Sequence, residues 1–528
     1  MTGSATSVPP KAVQAVSFEQ HSVWTSGIAI ATYLAAIRML LYAVFGGEYG
    51  IFRDELYYLA CSEHLDWGYV DQPPLIALVT WFARHVFGES ALGLRFLPAL
   101  AAAATIILAA KVAKEFGGGR FAQVAAALAV VTSPILLTLS HILTMNAWEP
   151  LMWLACAWLV ARIANTGDQK LWLWFGVLAG LGLQNKYSIG FFGAGIVVGL
   201  LFTSERRALI KPWIWIGGAI ALAIFLPNLL WQINRDLPFL ELMKNIRESG
   251  RDVALSPGQF FVQQAMIAGP LAAVIWIAGL IWFFRPSGKQ YRVLGWAFLF
   301  VFVTMMVLHG KVYYVAPVYP IMFAAGGAAL ERWIAPLRAA RWLAPAYALL
   351  IAVFGIVFLP FVIPVLPPQT YVEYSKAIGF RPPRTENQRN GPLENQLYAD
   401  MFGWKEMAQE TARAYQSLPE DVRGKTAIFV NGYGQGGAID FFGPELGLPK
   451  SIGGHQNYWF WGPREYTGES IIVLGDSYED LAPKCEQVEK VGRVEHPYSR
   501  RDEHFNLLWC RGLKWNLKEV WPNLKSWN

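Results

Sequence analysis

The chain has 528 residues, 54% hydrophobic, 14% aromatic and only 16% charged, where a soluble domain carries about 25% charged residues. A mean hydropathy of +0.32 with 23 Trp and 21 Tyr fits a membrane protein with interfacial aromatic belts. The net charge of +6 is scattered over loops and forms no stripe, which excludes a nucleic-acid partner. The four cysteines form no CxxC, which excludes a metal knuckle.

The N-terminal tail, residues 1–26, is polar and lacks a cleavable signal pattern. Eleven apolar runs follow, near 27–46, 91–110, 121–139, 147–164, 171–185, 188–203, 213–232, 263–284, 294–308, 313–330 and 343–365. At 1.5 Å rise, about 20 residues cross the hydrocarbon, so these runs predict a polytopic α-helical membrane protein. The loops after the even-numbered runs carry Lys111, Lys114 and Arg120, then Arg162 and Lys170, then Arg206, Arg207 and Lys211, then Arg285, Lys289 and Arg292, then Arg332, Arg338 and Arg341. Under the positive-inside rule these loops and the N-terminus are cytoplasmic. The opposite face then receives the loop 47–90, the turn 140–146, the junction at Lys186, the loop 233–262, the turn His309–Tyr314 and everything after about 366.

The first outer loop, IFRDELYYLACSEHLDWGYVDQPPL, is long, aromatic and rich in carboxylates, as an enzyme acting on a lipid-borne substrate requires. Asp54 and Glu55 diverge by about 100° on a helix and 180° on a strand, so at most one of the two faces a given site, as general base on an acceptor hydroxyl; the alternative is an exposed juxtamembrane loop with solvated acids. Asp71-Gln72-Pro73-Pro74 reads as an extended lead into the next helix. Arg38, within the first run, calls for a partner, Glu48 or an acid of the loop. Arg95 is either a snorkelling interfacial residue or a phosphate clamp. His141, Asn146 and Glu149 reach the same face. Asn146 and Glu149 share a helix side, to bind a cation or hold the acceptor, or Glu149 simply answers the helix dipole. Lys186 beside Tyr187, and Lys311 beside Tyr313 and Tyr314, are interfacial anchors singly. Together with Arg95 they outline a pocket for an anionic lipid headgroup. Asn228 lies near the outer end of its run, after a kink at Pro227.

Residues 366–528 change composition and read as a small α/β domain, with a helix over 403–418 and strands over 426–430, 470–474 and 505–509. GYGQGGAID follows a strand but departs from GxGxxG, and it reads as a strand-to-helix turn. Trp459 and Trp461 suit either a sugar or the membrane. If this domain is extracytoplasmic, Cys485 and Cys510 can pair; otherwise both are free thiols.

RDELYY, GYVDQPPL and RFLPAL together resemble the protein-O-mannosyltransferase-like family of GT-C glycosyltransferases. TMNAWEPLMW, LQNKYS, FLPNLLWQ and GKVYYVAPVYP are similar to its bacterial branch, related to the aminoarabinose–lipid A transferases. The resemblance implies a GT-C fold of about 11–13 transmembrane helices over 27–365, with its catalytic loop at 47–90 and two short helices lying along the membrane there. It implies an extracytoplasmic α/β domain over 366–528. It makes Asp54 the catalytic acid and Glu55 its partner, and links Arg95, in the R-x-x-P-A motif, to the donor phosphate together with Lys186, Lys311 and Tyr314. Glu149 stands where many members carry Asp, a departure that puts any metal role carried over there in doubt; His141, Asn146 and Glu149 are candidates to hold the acceptor or a metal.

The expected activity is inverting transfer of a hexosyl or pentosyl unit from a polyprenyl-phosphate sugar to a lipid, glycan or protein acceptor at the outer face of a bacterial inner membrane. No cofactor is assigned and a divalent metal is left open. A transporter of a lipid-linked or anionic substrate is the rival reading, disfavoured because charge gathers at one surface and no repeat is found. A non-catalytic lipid-phosphate-binding protein is a third.

Overall fold

The computed structural model describes residues 23–384, 386, 387 and 389–528, so most of the N-terminal tail lies outside the described residues. Every apolar run becomes helical. The helices are α1 (Gly27–Phe45), α2 (Arg53–Glu63), α3 (Leu75–Phe87), α4 (Ala91–Glu115), α5 (Arg120–Thr132), α6 (Pro134–Leu139), α7 (Glu149–Thr166) and α8 (Leu171–Asn185). There follow α9 (Ile189–Leu201), α10 (Pro212–Ile233), α11 (Pro238–Ser249), α12 (Pro257–Ala268), α13 (Pro270–Phe284), α14 (Arg292–Val307), α15 (Tyr319–Ile334) and α16 (Ala340–Phe358). Proline marks the breaks: Pro134 opens α6, and α12 and α13 meet at 110° across Gly269 and Pro270. Among the described residues six helices are long and apolar enough to cross a membrane, or eight if each bent pair is one span. This is fewer than the eleven runs suggest: the runs of α5, α7 and α8 fall outside even the eight, and α5 and α8 hold only 13 and 15 residues, a rise of about 20–23 Å.

Small residues bring these helices together. A β-carbon on Gly176 of α8 would lie 2.1 Å from the Gly217 carbonyl oxygen of α10, and one on Gly326 of α15 would lie 1.8 Å from that of Ile275 on α13. This is the close backbone approach expected where lipid, not water, surrounds the bundle. At one end the basic loops converge. Glu331 accepts from the Gly119 and Phe121 amides, Arg332 donates to the Phe116 carbonyl, and Asn165 links Glu115 to Tyr291.

The other end carries α2, α3 and the C-terminal part of the chain. There, α17 (Pro368–Ile378), α18 (Gln396–Ala399), α19 (Trp404–Gln416), α20 (Glu420–Arg423) and α21 (Tyr433–Phe442) accompany a five-stranded sheet. Its strands are β1 (Thr426–Val430), β2 (Ile452–Gly453), β3 (Ser470–Leu474), β4 (Cys485–Val494) and β5 (Phe505–Leu513), in the order β2-β1-β3-β5-β4. β1 runs parallel to β2 and β3, and β5 antiparallel to β3 and β4, with Ile428 opposite Ile472 and Ile472 opposite Trp509. One sheet face, with Ile428, Val430, Ile472 and Leu474, packs on α19 and α21 in a core that continues into Leu56, Tyr57 and Leu59 of α2. The opposite face holds the Cys485–Cys510 disulfide.

The glycine-rich stretch is a strand-to-helix turn, as its sequence indicated, and its glycines make room. A β-carbon on Gly434 would meet the Arg53 side chain at 2.5 Å, and one on Gly437 would meet the Leu56 carbonyl carbon at 2.6 Å. No dinucleotide-type approach is needed to explain them.

Candidate active site

Helix α2 begins with two acids in its first turn, where a helix N-terminus favours negative charge. They part company at once. Glu55 is fully buried and caps its own helix by accepting from the Phe52 amide at 2.7 Å. It also accepts from the Leu143 amide at 2.7 Å, and from Arg95 at 2.9 Å through Nε and 2.8 Å through a terminal nitrogen. Arg95 spends its remaining N–H groups on the carbonyls of Gly46, Glu48 and Gly50. A guanidinium has five donors, and all five are engaged by protein in a residue with no exposed surface.

The phosphate contact expected of Arg95 is therefore not what this geometry offers; the pair fastens the first outer loop to α4. His141 lies in the same interior, near Arg95 and Arg38, and its Nε2 finds no hydrogen-bond partner there. It does not line the cavity described next. Among the described residues Arg38 pairs with no acid: it donates to the carbonyl and hydroxyl of Ser140 at 2.8 and 3.2 Å.

Asp54 faces the other way, into a cavity of about 370 Å³. Its Oδ1 accepts from the Tyr433 hydroxyl at 2.8 Å and from Arg53 Nε at 3.3 Å. Among the described residues no donor reaches Oδ2. The cavity lining also presents Lys311, Glu386, Asn146 and Gln396; elsewhere it is mainly apolar, with Ile135, Ile142, Ile267, Phe354, Phe358 and Phe361 beside Gln263, Arg381 and Asn395. A polar head with an apolar trough is the shape that a lipid-linked anion fills.

Charge around the head is tightly matched. Lys311 lies 2.6 Å from Glu386 and 3.3 Å from Asp252, while Arg251 and Arg53 approach Glu386 at 3.6 and 4.0 Å. Burial alone would push the Glu386 carboxyl up, but Lys311, Arg53 and Arg251 outweigh it and hold the group well below the usual carboxylate range. Arg53 also reaches Asp400 at 3.8 Å and lies over the Tyr433 ring. Asp71, half-buried near Asp54 and hydrogen-bonded by the Tyr57 hydroxyl at 3.1 Å, is pushed up to about 7, chiefly by desolvation.

Lys186 joins a different set. Its ammonium sits 2.7 Å from Asn146 and 2.9 Å from Glu149, and 4.6 Å from the centre of the Tyr314 ring. The Ser188 hydroxyl binds the other Glu149 oxygen. The structure thus gathers Lys186, Tyr314, Asn146 and Glu149, with Asn146 forming the link to the cavity. Each Glu149 oxygen accepts one hydrogen bond, one from Lys186 and one from Ser188. Among the described residues no three His, Cys, Asp or Glu side chains converge as a metal cage.

Sequence reasoning missed Glu386, Arg251 and Tyr433. Glu386 stands in a proline-rich polar stretch where one acid carries no signal of its own. The clue for Tyr433 lay in GYG, whose flanking glycines mark a close approach.

A family model described as dolichyl-phosphate-mannose-protein mannosyltransferase matches residues 71–231, a stretch that begins after the acid pair. The lipid A galacturonosyltransferase RgtD of Rhizobium johnstonii is 29% identical over 232 residues, 43% of this chain and 48% of its own. The chain spans about half the length of the curated relative it matches. The crystal structure of ArnT from Cupriavidus metallidurans bound to undecaprenyl phosphate superposes with a TM-score of 0.57 at 15% identity, covering 90% of this chain and 97% of that one. The oligosaccharyltransferase of Archaeoglobus fulgidus, tethered to an acceptor peptide, gives 0.51 at 12% identity, covering 79% and 63%. These likenesses establish the GT-C fold.

Proposed function

We propose that the chain is a PMT-type member of the GT-C glycosyltransferases, related to ArnT, and that it is an inverting glycosyltransferase. It moves a sugar from a polyprenyl-phosphate donor to a lipid, glycan or protein acceptor at the outer face of the inner membrane. The observation that carries this reading is the accessible Asp54 carboxylate among the polar groups of a cavity whose lining is elsewhere mainly apolar.

In this reading the polyprenyl chain lies in the trough and the phosphate sits at the head. The acceptor hydroxyl attacks the anomeric carbon as Asp54 Oδ2 takes its proton. The bond from the anomeric carbon to the phosphate oxygen breaks, and polyprenyl phosphate leaves with the electron pair. Lys311 meets the charge that grows on the leaving phosphate, exchanging a carboxylate partner for it. Lys186 supports the head from behind Asn146. Arg95 and Glu55 hold the loop and touch no substrate. One direct displacement inverts the anomeric centre. No step is routed through a metal.

The orientation is part of the proposal. The basic loops gather at the end away from the cavity, in line with the positive-inside rule. The Cys485–Cys510 disulfide suits an oxidising compartment. This supports a periplasmic site and C-terminal domain with a cytoplasmic N-terminus.

The test is incubation of purified protein with membrane lipid extract and radiolabelled polyprenyl-phosphate sugars, wild type against Asp54→Asn. Label reaching a new product with wild type alone is expected. Equal transfer by both proteins would remove Asp54 from its role. Transfer by neither, with intact donor bound, would favour a transporter or a binding protein.

A further inference from the structure

We infer that the C-terminal domain completes the site by supplying Tyr433 as a positioning residue that fixes the Asp54 carboxylate. This rests on the reading of Asp54 as the acceptor's base. Tyr433 is the first residue of α21, directly after the turn that follows β1, the strand between β2 and β3, its two parallel neighbours. Parallel sheets commonly carry functional groups at the carboxyl ends of their strands, and here that edge faces α2.

The hydroxyl reaches Asp54 Oδ1 at 2.8 Å across 379 positions of sequence. Its aim is over-determined. The Tyr433 ring stacks on His455, with centroids 5.2 Å apart and planes 13° apart, and packs on Tyr57 at 4.8 Å. The Arg53 guanidinium covers it at 5.4 Å. The Tyr433 amide donates to His455 Nδ1 at 3.0 Å, and that imidazole, which burial pushes down to about 4, accepts as a neutral ring at neutral pH. The turn reaches α2 only because Gly434 has no side chain, since a β-carbon would meet Arg53 Cγ at 2.5 Å.

With Tyr433 and Arg53 both on Oδ1, the carboxylate cannot rotate freely, and Oδ2 is the oxygen left to take a proton. A hydrogen bond donated to a carboxylate also favours its charged form. The other titratable groups around Asp54 are Arg53 and Tyr58 on α2, Asp71 at the end of the loop, Tyr313 before α15, and Asp400 and Glu386 before α19. Lys311 shares the same cavity lining; among the described residues Tyr433 and Arg53 are the side chains that donate to Asp54.

The experiment is the pH dependence of kcat for donor-dependent transfer by Tyr433→Phe, which keeps the ring stack and loses only the hydroxyl. The expected result is a kcat about 10-fold lower and an acidic limb about one pH unit higher, with donor KM unchanged. Fluorotyrosine at position 433, a stronger donor, moves the limb the opposite way and keeps the test open if Tyr433→Phe does not fold. A limb that stays in place for either protein overturns the inference, even if kcat falls, because a merely structural tyrosine would do that. Failure of the underlying reading looks different: Asp54→Asn itself would retain transfer.

Discussion

Asp54 turns toward the cavity with 28% of its side chain exposed, whereas Glu55, one residue further on, has none. Glu55 receives four hydrogen bonds, two of them from a single arginine, and so has no valence left for a substrate. Asp54 receives two, both on one oxygen. Their arginines divide in the same way. Arg95 is consumed by one carboxylate and three carbonyls, while Arg53 is shared among Asp54, Glu386, Asp400 and the Tyr433 ring. Acids adjacent in sequence are thus assigned to structure and to chemistry by which side of the helix meets protein.

The largest expected effect tests the chemical half. Asp54→Asn keeps the fold and lowers transfer by about 100-fold to 10,000-fold, the range of one general base; a near-normal rate in the transfer assay would erase the distinction. Glu55→Gln should act on the fold instead. Leaving a buried Arg95 without its charge partner costs about 3–5 kcal/mol, read as a lower melting temperature in detergent. A Glu55→Gln protein that melts like wild type yet transfers nothing would reverse the assignment. Lys311→Met should lower kcat about 10-fold, the cost of one charged contact made as the phosphate leaves, with the melting temperature little changed because Arg53 and Arg251 still face Glu386.

The smallest effect concerns the third acid, Asp71. Its folded carboxyl sits at about 7, above the usual value of 3.8. The folded state therefore binds a proton that the unfolded chain releases. The resulting stability is present at acid pH and is lost as pH rises from about 4 through about 7. Asp71→Asn, a mimic of the protonated form, should flatten this part of the melting-temperature profile. An unchanged slope would mean that Asp71 is ionised across the range.

Much of the fold was legible because the physics is local. Thr426–Val430 and Ser470–Leu474 are short buried runs bounded by turns, and they appear as β1 and β3 with those same limits. The strand β4, CEQVEKVGRV, was missed. It is a charged, mostly exposed edge strand with a register shift between Lys490 and Gly492, so its alternation is faint. In the site, the acid pair could be read, but its division of labour could not. Arg95 looks like a phosphate clamp until three loop carbonyls are counted around it. Glu386 has meaning only through partners at positions 53, 251 and 311, which no spacing rule connects.

The bare backbone of Gly437 against Leu56 has a consequence for recombination. Where not even a methyl group fits between α21 and α2, the two helices behave as one heritable module. A chimaera that takes its C-terminal domain from one relative and its membrane helices from another should work only if α2 and α21 come from the same parent.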